Sequence, residues 1–115
     1  PRPRRRRRPP AWLPAAEELL RTRFLEAVDL DALSRELGIG ALALTRGFRE
    51  HVGVSPASYQ RQLRLEWAAG QLATGQDSIS DLAVRAGFAD QAHFTREFKR
   101  YTGLPPGRYR AARRN

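Results

Sequence analysis

Apolar residues recur along this chain at helical rather than strand spacing, and recognisable start and stop residues divide the pattern. Pro14 opens a first helix in which Leu20, Phe24, Ala27 and Val28 share a face. Glu17 and Glu18 are placed to complement its N-terminal dipole. Trp12 and Leu13 precede it as apolar anchors. Asp29 reads as the N-cap of a short helix reaching about Leu37, whose buried stripe is Leu30, Leu33 and Leu37. Gly38 follows, where a left-handed cap favours glycine. The next helix starts near Gly40, ends before Gly53 and buries Leu44, Phe48 and Val52. Short helix, glycine turn, second helix is helix-turn-helix syntax.

Ser55 and Pro56 open a longer helix that runs to about Thr74 and stops at Gly75. Tyr59, Leu63, Ala69 and Leu72 supply much of its inner face. Gly70 inside it costs about 1 kcal/mol against alanine, which suits a close approach of two backbones. The plan then repeats. Ser78-Ile79-Ser80-Asp81 is a capping sequence, Leu82 and Ala83 face inward and Gly87 makes the turn. Asp90 caps a helix burying Phe94, Phe98 and Tyr101. Pro105-Pro106 starts a last short helix carrying Tyr109, and residues 113–115 form a frayed tail.

The repetition extends to residue identity. LDALSRELGIGALALTRGFREHVGVSPASY (Leu30 to Tyr59) and ISDLAVRAGFADQAHFTREFKRYTGLPPGRY (Ile79 to Tyr109) align at an offset of 49, then 50. Leu33 and Gly38 match Leu82 and Gly87, and Thr45, Arg46, Phe48, Gly53, Pro56 and Tyr59 match Thr95, Arg96, Phe98, Gly103, Pro106 and Tyr109. A duplicated two-helix unit suggests two reading heads on one ligand, and DNA has a matching repeat.

Helical projection separates a ligand-facing stripe from the core. Advancing about 100° per residue from Phe94 puts Phe98 at about 40° and Tyr101 at about −20°. Gln91, Ala92, Thr95, Arg96 and Lys99 fall at about 60–200°, an outward stripe. Arginine forks onto guanine O6 and N7, and glutamine onto adenine N6 and N7. Lysine and threonine hold phosphates, which sets register rather than sequence. In the first unit the same projection exposes Ala41, Leu42, Thr45, Arg46 and Arg49, a plainer set in which Leu42 suits a thymine methyl. A polar helix stripe is usually only a solvated face; Thr-Arg at equivalent places in both units argues against that here. Residues 56–74 make a helix about 28 Å long, of the order of the roughly 34 Å between successive major grooves.

Charge sharpens this picture. The 115 residues carry a net +9, of which residues 1–10, PRPRRRRRPP, supply six arginines. Residues 28–75 are neutral, and residues 76–115 carry eight bases against four acids. The second unit is therefore the basic one, and we expect it to carry more of the specific binding. The proline-arginine start reads as a self-repelling arm, with Arg4, Arg5, Arg6, Arg7 and Arg8 as nonspecific phosphate contacts. With no cysteine, disulfides, thiolate zinc sites and cysteine nucleophiles are excluded. His51 and His93 stand on different helices without metal-ligand spacing, and no serine nucleophile elbow occurs, so neither enzyme, cofactor nor metal is expected. No apolar run approaches the roughly 18 residues of a membrane span, and no signal peptide is evident.

Gly87 to Arg110, GFADQAHFTREFKRYTGLPPGRYR, resembles the signature of the AraC/XylS transcription regulators, and the likeness extends from about Pro14 to Ala112 through LRLEWAAGQL. The resemblance implies an all-α, seven-helix domain with two helix-turn-helix units joined by a long helix, binding double-stranded DNA. It places Leu42, Thr45 and Arg46, and Gln91, Ala92, Thr95 and Arg96, at base-facing positions. Two departures, Gly40 for a serine-type cap and Gly47 for a larger residue, suggest a loosened first unit. Trp67 stands where the family has a charged residue, packing on Leu63 or Gln71 or marking another domain.

The expected organisation is an arm or interdomain linker over 1–13, a DNA-binding domain over 14–112 (units 29–53 and 78–103, connecting helix 56–74) and a tail over 113–115. The family further implies contact with RNA polymerase, an effector or dimerisation domain ahead of this one, and a cytoplasmic, nucleoid-associated location. The rival reading is a nonspecific binder of nucleic acid or acidic membrane, acting through the arm.

Overall fold

The computed structural model describes residues 8–26 and 29–114. These form seven helices and no strand: α1 Leu13–Arg23, α2 Leu30–Leu37, α3 Ala41–His51, α4 Pro56–Thr74, α5 Ile79–Arg85, α6 Gln91–Thr102 and α7 Pro106–Arg114. Side-chain caps start four of them. Asp29 accepts from Ala32 N at 2.6 Å, Ser55 from Ser58 N at 3.2 Å, Ser78 from Asp81 N at 3.0 Å and Asp90 from His93 N at 2.7 Å. Each satisfies one of the helix's orphan N–H groups.

The first helix differs from the expected one. It begins at Leu13, after a turn in which Leu13 N donates to Pro10 O at 3.0 Å. Its buried residues are Leu13, Ala16 and Leu20, and Phe24 lies just past its end. Glu17 and Glu18 fall beyond the first turn, where the dipole term is weak, and face Arg21 at 3.9 and 3.5 Å instead. Ala27 and Val28 lie outside the described residues. At the other end α7 runs to Arg114, with Arg113 stacked 4.8 Å over the Tyr109 ring, where fraying was expected from residue 113. Asn115 lies outside the described residues.

Two separate cores form. Leu13, Ala16, Leu20, Leu33, Leu44 and Phe48 make the first, joined by Trp12, Ile39, Tyr59 and Leu63. Leu65, Ala68, Leu72, Leu82, Ala83, Ala86, Phe88, Phe94 and Phe98 make the second, joined by Trp67, Ile79 and Tyr109. The cores correspond position by position. Leu13, Ala16 and Leu20 of α1 recur as Leu65, Ala68 and Leu72 of α4, 52 residues later. The duplicated unit therefore includes the helix ahead of each helix-turn-helix. Phe48 meets Tyr59 edge-on at 5.6 Å, and Phe98 meets Tyr109 edge-on at 5.2 Å.

Two expected core positions and one expected close approach are corrected. Leu30 is 38% exposed and Tyr101 43% exposed. Projection gives a side chain's direction, and at these helix ends no neighbour closes over it. Tyr101 lies at the rim of a groove with Glu66, Ala69 and Tyr109. Partial burial, and then the Glu66 carboxylate, hold its phenol above the ordinary value. Gly70 is exposed and faces open space, so no close backbone approach explains it. Trp67 packs on the second core, with the Arg85 guanidinium 4.9 Å above its ring and Asp77 paired to Arg85.

Gly47 is not a weak point in α3. It is buried, and a Cβ built on it would lie 2.5 Å from Cη2 of Trp12 and 3.7 Å from Cγ of Pro10. The missing side chain is the seat of the indole, which pins the start of α1 to the back of α3. Gly47→Ala should therefore destabilise the native chain by about 1–3 kcal/mol through overpacking. In a Trp12→Ala background the same change should stabilise by about 0.5–1 kcal/mol, since only the gain in helix propensity remains. Urea unfolding of the four proteins measures this coupling; equal effects in both backgrounds would show that the glycine serves another purpose.

Candidate nucleic-acid interface

The second helix of each unit, α3 or α6, is aimed by the turn before it. Gly38 and Gly87 take φ of 71° and 84°, the left-handed region that L side chains avoid. Just beyond each, Ile39 N donates to Ser34 O and Phe88 N to Ala83 O, both at 3.0 Å. Ile39 and Phe88 are thereby folded into their respective cores and fix the entry of α3 and α6. Neither was identified from the sequence, because both fall in turns where helical periodicity is silent; their common place after the repeated glycine was the available signal.

With the core face of α6 occupied by Phe94 and Phe98, Gln91, Ala92, Arg96 and Lys99 are exposed and Thr95 is half-buried beside them. On α3, Leu42 is 65% exposed, Arg46 and Arg49 are exposed, and Thr45 is half-buried. Thr45 also borders a small cavity with Leu20, Leu33, Pro56 and Gln60, so only part of it faces outward. All nine expected helix residues thus lie on the outward or flanking side of α3 and α6. Arg8 is exposed, and Arg4, Arg5, Arg6 and Arg7 lie outside the described residues.

Among the described residues electrostatics leaves these cations available, a property they share with Arg35, Arg61, Arg108 and Arg114. Arg21, Arg23, Arg85 and Arg100 pair with carboxylates. Among the described residues Arg46, Arg49, Arg96 and Lys99 enter no ion pair. They can therefore meet phosphate or a base edge without breaking an internal pair, and an unpaired cation releases the counterions of the phosphate it neutralises. The His93 ring stands edge-on to Phe88 at 5.2 Å. Among the described residues no three His, Asp or Glu side chains gather as a metal site, and no helix is long and apolar enough to cross a membrane.

Gln60 and Arg64 are a further pair that periodicity missed. From α4 their side chains donate to Phe24 O and Glu26 O at the end of α1, at 2.6–3.3 Å. Arg110, the repeat equivalent of Gln60, donates to Leu72 O and Asp77 O at the end of α4, at 3.3 and 2.5 Å. They hold in place the helices that support the readers.

A family model described as a helix-turn-helix domain matches residues 33–112. A transcriptional activator named RhaS from Escherichia fergusonii is 34% identical over 94 residues, covering 82% of this chain and 34% of the relative. The regulator ExsA of Pseudomonas aeruginosa is 34% identical over 87 residues, 76% of this chain and 31% of that protein. The chain spans about a third of the length of these relatives. Among solved structures, an AraC-type DNA-binding regulator from Chromobacterium violaceum superposes with a TM-score of 0.83 at 27% identity, over 88% of this chain and 90% of that one. The DNA-binding domain of AdpA, solved with a target DNA, superposes with a TM-score of 0.81 at 26% identity, over 89% and 92%. These relatives are transcription regulators.

The two readers differ in capping, since Gly40 offers α3 no side-chain bond while Asp90 bonds α6. Asp90→Ala should cost about 1 kcal/mol of stability, and Gly40→Ser should gain a few tenths, roughly, by thermal or urea unfolding. A loss below about 0.3 kcal/mol for Asp90→Ala would show that the cap does not hold α6.

Proposed function

The chain belongs to the AraC/XylS family of helix-turn-helix transcription regulators, and from that premise we propose that it reads an asymmetric DNA site by placing α3 and α6 in successive major grooves of one duplex. The observation that carries this reading is the repeated outward Thr-Arg stripe. Thr45-Arg46 and Thr95-Arg96 stand on helices that each follow a left-handed glycine, and the cations of both stripes are unpaired among the described residues. The 19 residues of α4 give a spacer of about 28 Å, close to one DNA turn. In this reading Arg96 forks onto a guanine, Gln91 reads an adenine, Ala92 and Leu42 meet apolar base edges, and Thr45, Thr95, Arg49 and Lys99 hold backbone. RNA polymerase and an effector or dimerisation domain are further partners that we infer from family membership. We place the protein on the nucleoid in the cytoplasm on the same ground.

The second unit supplies most of the discrimination. Its stripe has more hydrogen-bonding groups, and its helix is capped by a charged side chain. On a duplex recovered from a random pool by the native chain, Arg96→Ala should cost about 1–3 kcal/mol and relax specificity at one base. Arg46→Ala should cost less. Quantitative binding at fixed salt checks the order, and a clearly larger loss at Arg46 would reverse it.

The arm is assigned a subordinate, charge-only role. Deleting residues 1–8 leaves Pro10 and Trp12 seated at Gly47. Affinity should then fall by a similar factor on all sequences, with a shallower salt dependence. Loss of all binding would instead favour the arm as the main site.

A further inference from the structure

The two cores share no buried residue. The element common to both is α4, giving Leu63 to the first and Leu65 to the second, and beyond that helix's own packing the relative angle of the two units depends on contacts between them. One polar side chain spans the gap. Arg64 donates from Nε to Phe24 O at 2.6 Å and from Nη2 to Glu26 O at 2.9 Å, both at the end of α1 in the first half. Its guanidinium lies against Gly87, the turn of the second half. A Cβ built there would be 2.5 Å from Nη1 and 2.8 Å from Cζ. Two nitrogens of a rigid plane are thus tied to one unit while the third covers the turn that aims α6. Burial pulls the guanidinium below its ordinary pKa, and the helix-end carbonyls supply the counter-dipole. Gln60 reaches the same carbonyls but is not among the atoms nearest Gly87.

We propose that Arg64 is a positioning residue that fixes the angle between the two reading units and so sets the spacing between half-sites that the chain accepts. This rests on the two-groove reading above. Without the guanidinium the units stay joined by α4, but nothing polar holds the end of α1 against the Gly87 turn. Lysine keeps the charge but not the fork, because its single ammonium cannot hold two carbonyls in the plane that covers Gly87.

The probe is a duplex selected from a random pool by the native chain, with versions carrying one base pair inserted or removed between the two protected segments. One base pair turns the second groove by about 35° and shifts it by about 3.4 Å. The native chain should lose roughly tenfold or more in affinity on the altered duplexes. Arg64→Met should bind the parent duplex more weakly but show a spacing penalty below about threefold, with Arg64→Lys between the two. A spacing penalty unchanged in Arg64→Met overturns the proposal.

A second readout needs no DNA. The chain has no cysteine, so spin labels can be placed at Glu50→Cys on α3 and Arg100→Cys on α6, both exposed and outside the reading stripes. The interlabel distance distribution should be narrow in the native chain and broader in Arg64→Met at unchanged helix content. An unchanged width also overturns the proposal. If Arg64→Met does not fold, Arg64→Lys is read in the same way. A native chain indifferent to spacing would defeat the two-groove reading, while the label distances would still decide the role of Arg64.

Discussion

The architecture depends on how helix-end carbonyls are satisfied. The last C=O groups of any helix lack intrahelical partners, and α1 ends at Phe24 without a left-handed glycine to turn them back on the helix. Gln60 and Arg64 donate from α4 to Phe24 O at the cap of α1 and to Glu26 O in the loop after it, and Arg110 donates from α7 to Leu72 O in the last turn of α4 and to Asp77 O in the loop after it. Hydrogen bonds from a charged donor are worth about 1.5–3 kcal/mol each, comparable to burying one large apolar side chain. Each half is therefore closed by the element that follows it. Each helix-turn-helix is gripped by a helix ahead of it and a polar clasp behind it, which leaves α3 and α6 free to present their outer faces.

The helix-turn-helix units were legible because their determinants are local. A capping Asp or Ser, a glycine at positive φ and apolar residues three or four apart lie within about a dozen residues of one another. The longer repeat that includes α1 was not legible. Its offset drifts from 50 to 52, and it survives only as leucine, alanine and leucine, a combination common in any helix. Gly47 was misjudged because an isolated glycine inside a helix reads as lost propensity, while its partner Trp12 stands 35 residues away. Leu30 and Tyr101 show the limit of projection, which gives direction without saying whether a neighbour is present. Arg64 and Gln60 were invisible for a related reason. Their partners are backbone carbonyls, which carry no identity in a sequence. The outward stripes were readable because the core residues that exclude them, Phe48, Phe94 and Phe98, are strongly apolar and regularly spaced.

The halves share a plan but are stabilised differently. The second core is built around a chain of aromatic contacts, Phe88 to Phe94 to Phe98 to Tyr109, at 5.2–5.5 Å. The first has leucine and isoleucine at two of those places and closes with Trp12 over Gly47. Its solidity is thus borrowed from a residue at the edge of the arm. A change near residue 12 is felt in α3, and α6 depends in the same way on α7, whose Tyr109 closes over Phe98.

Separate cores with one spacer impose a condition on any ligand that engages both units. The second contact forms at an effective concentration set by the freedom of the linkage, and that concentration falls if the units wander. A single α3-sized stripe, with two cations and one exposed leucine, offers few base contacts and correspondingly modest discrimination. Joint engagement multiplies the two affinities only to the extent that their relative angle is already right in the free protein. In the role proposed for Arg64, the polar clasp between α1, α4 and the Gly87 turn adds to the packing of α4 in limiting that angle. Without it the same surface chemistry would cost more ordering entropy on binding and distinguish half-site spacings less sharply. On the proposed reading, selectivity in this chain has two sources, side chains that read bases and a half-buried guanidinium that favours which bases are read together.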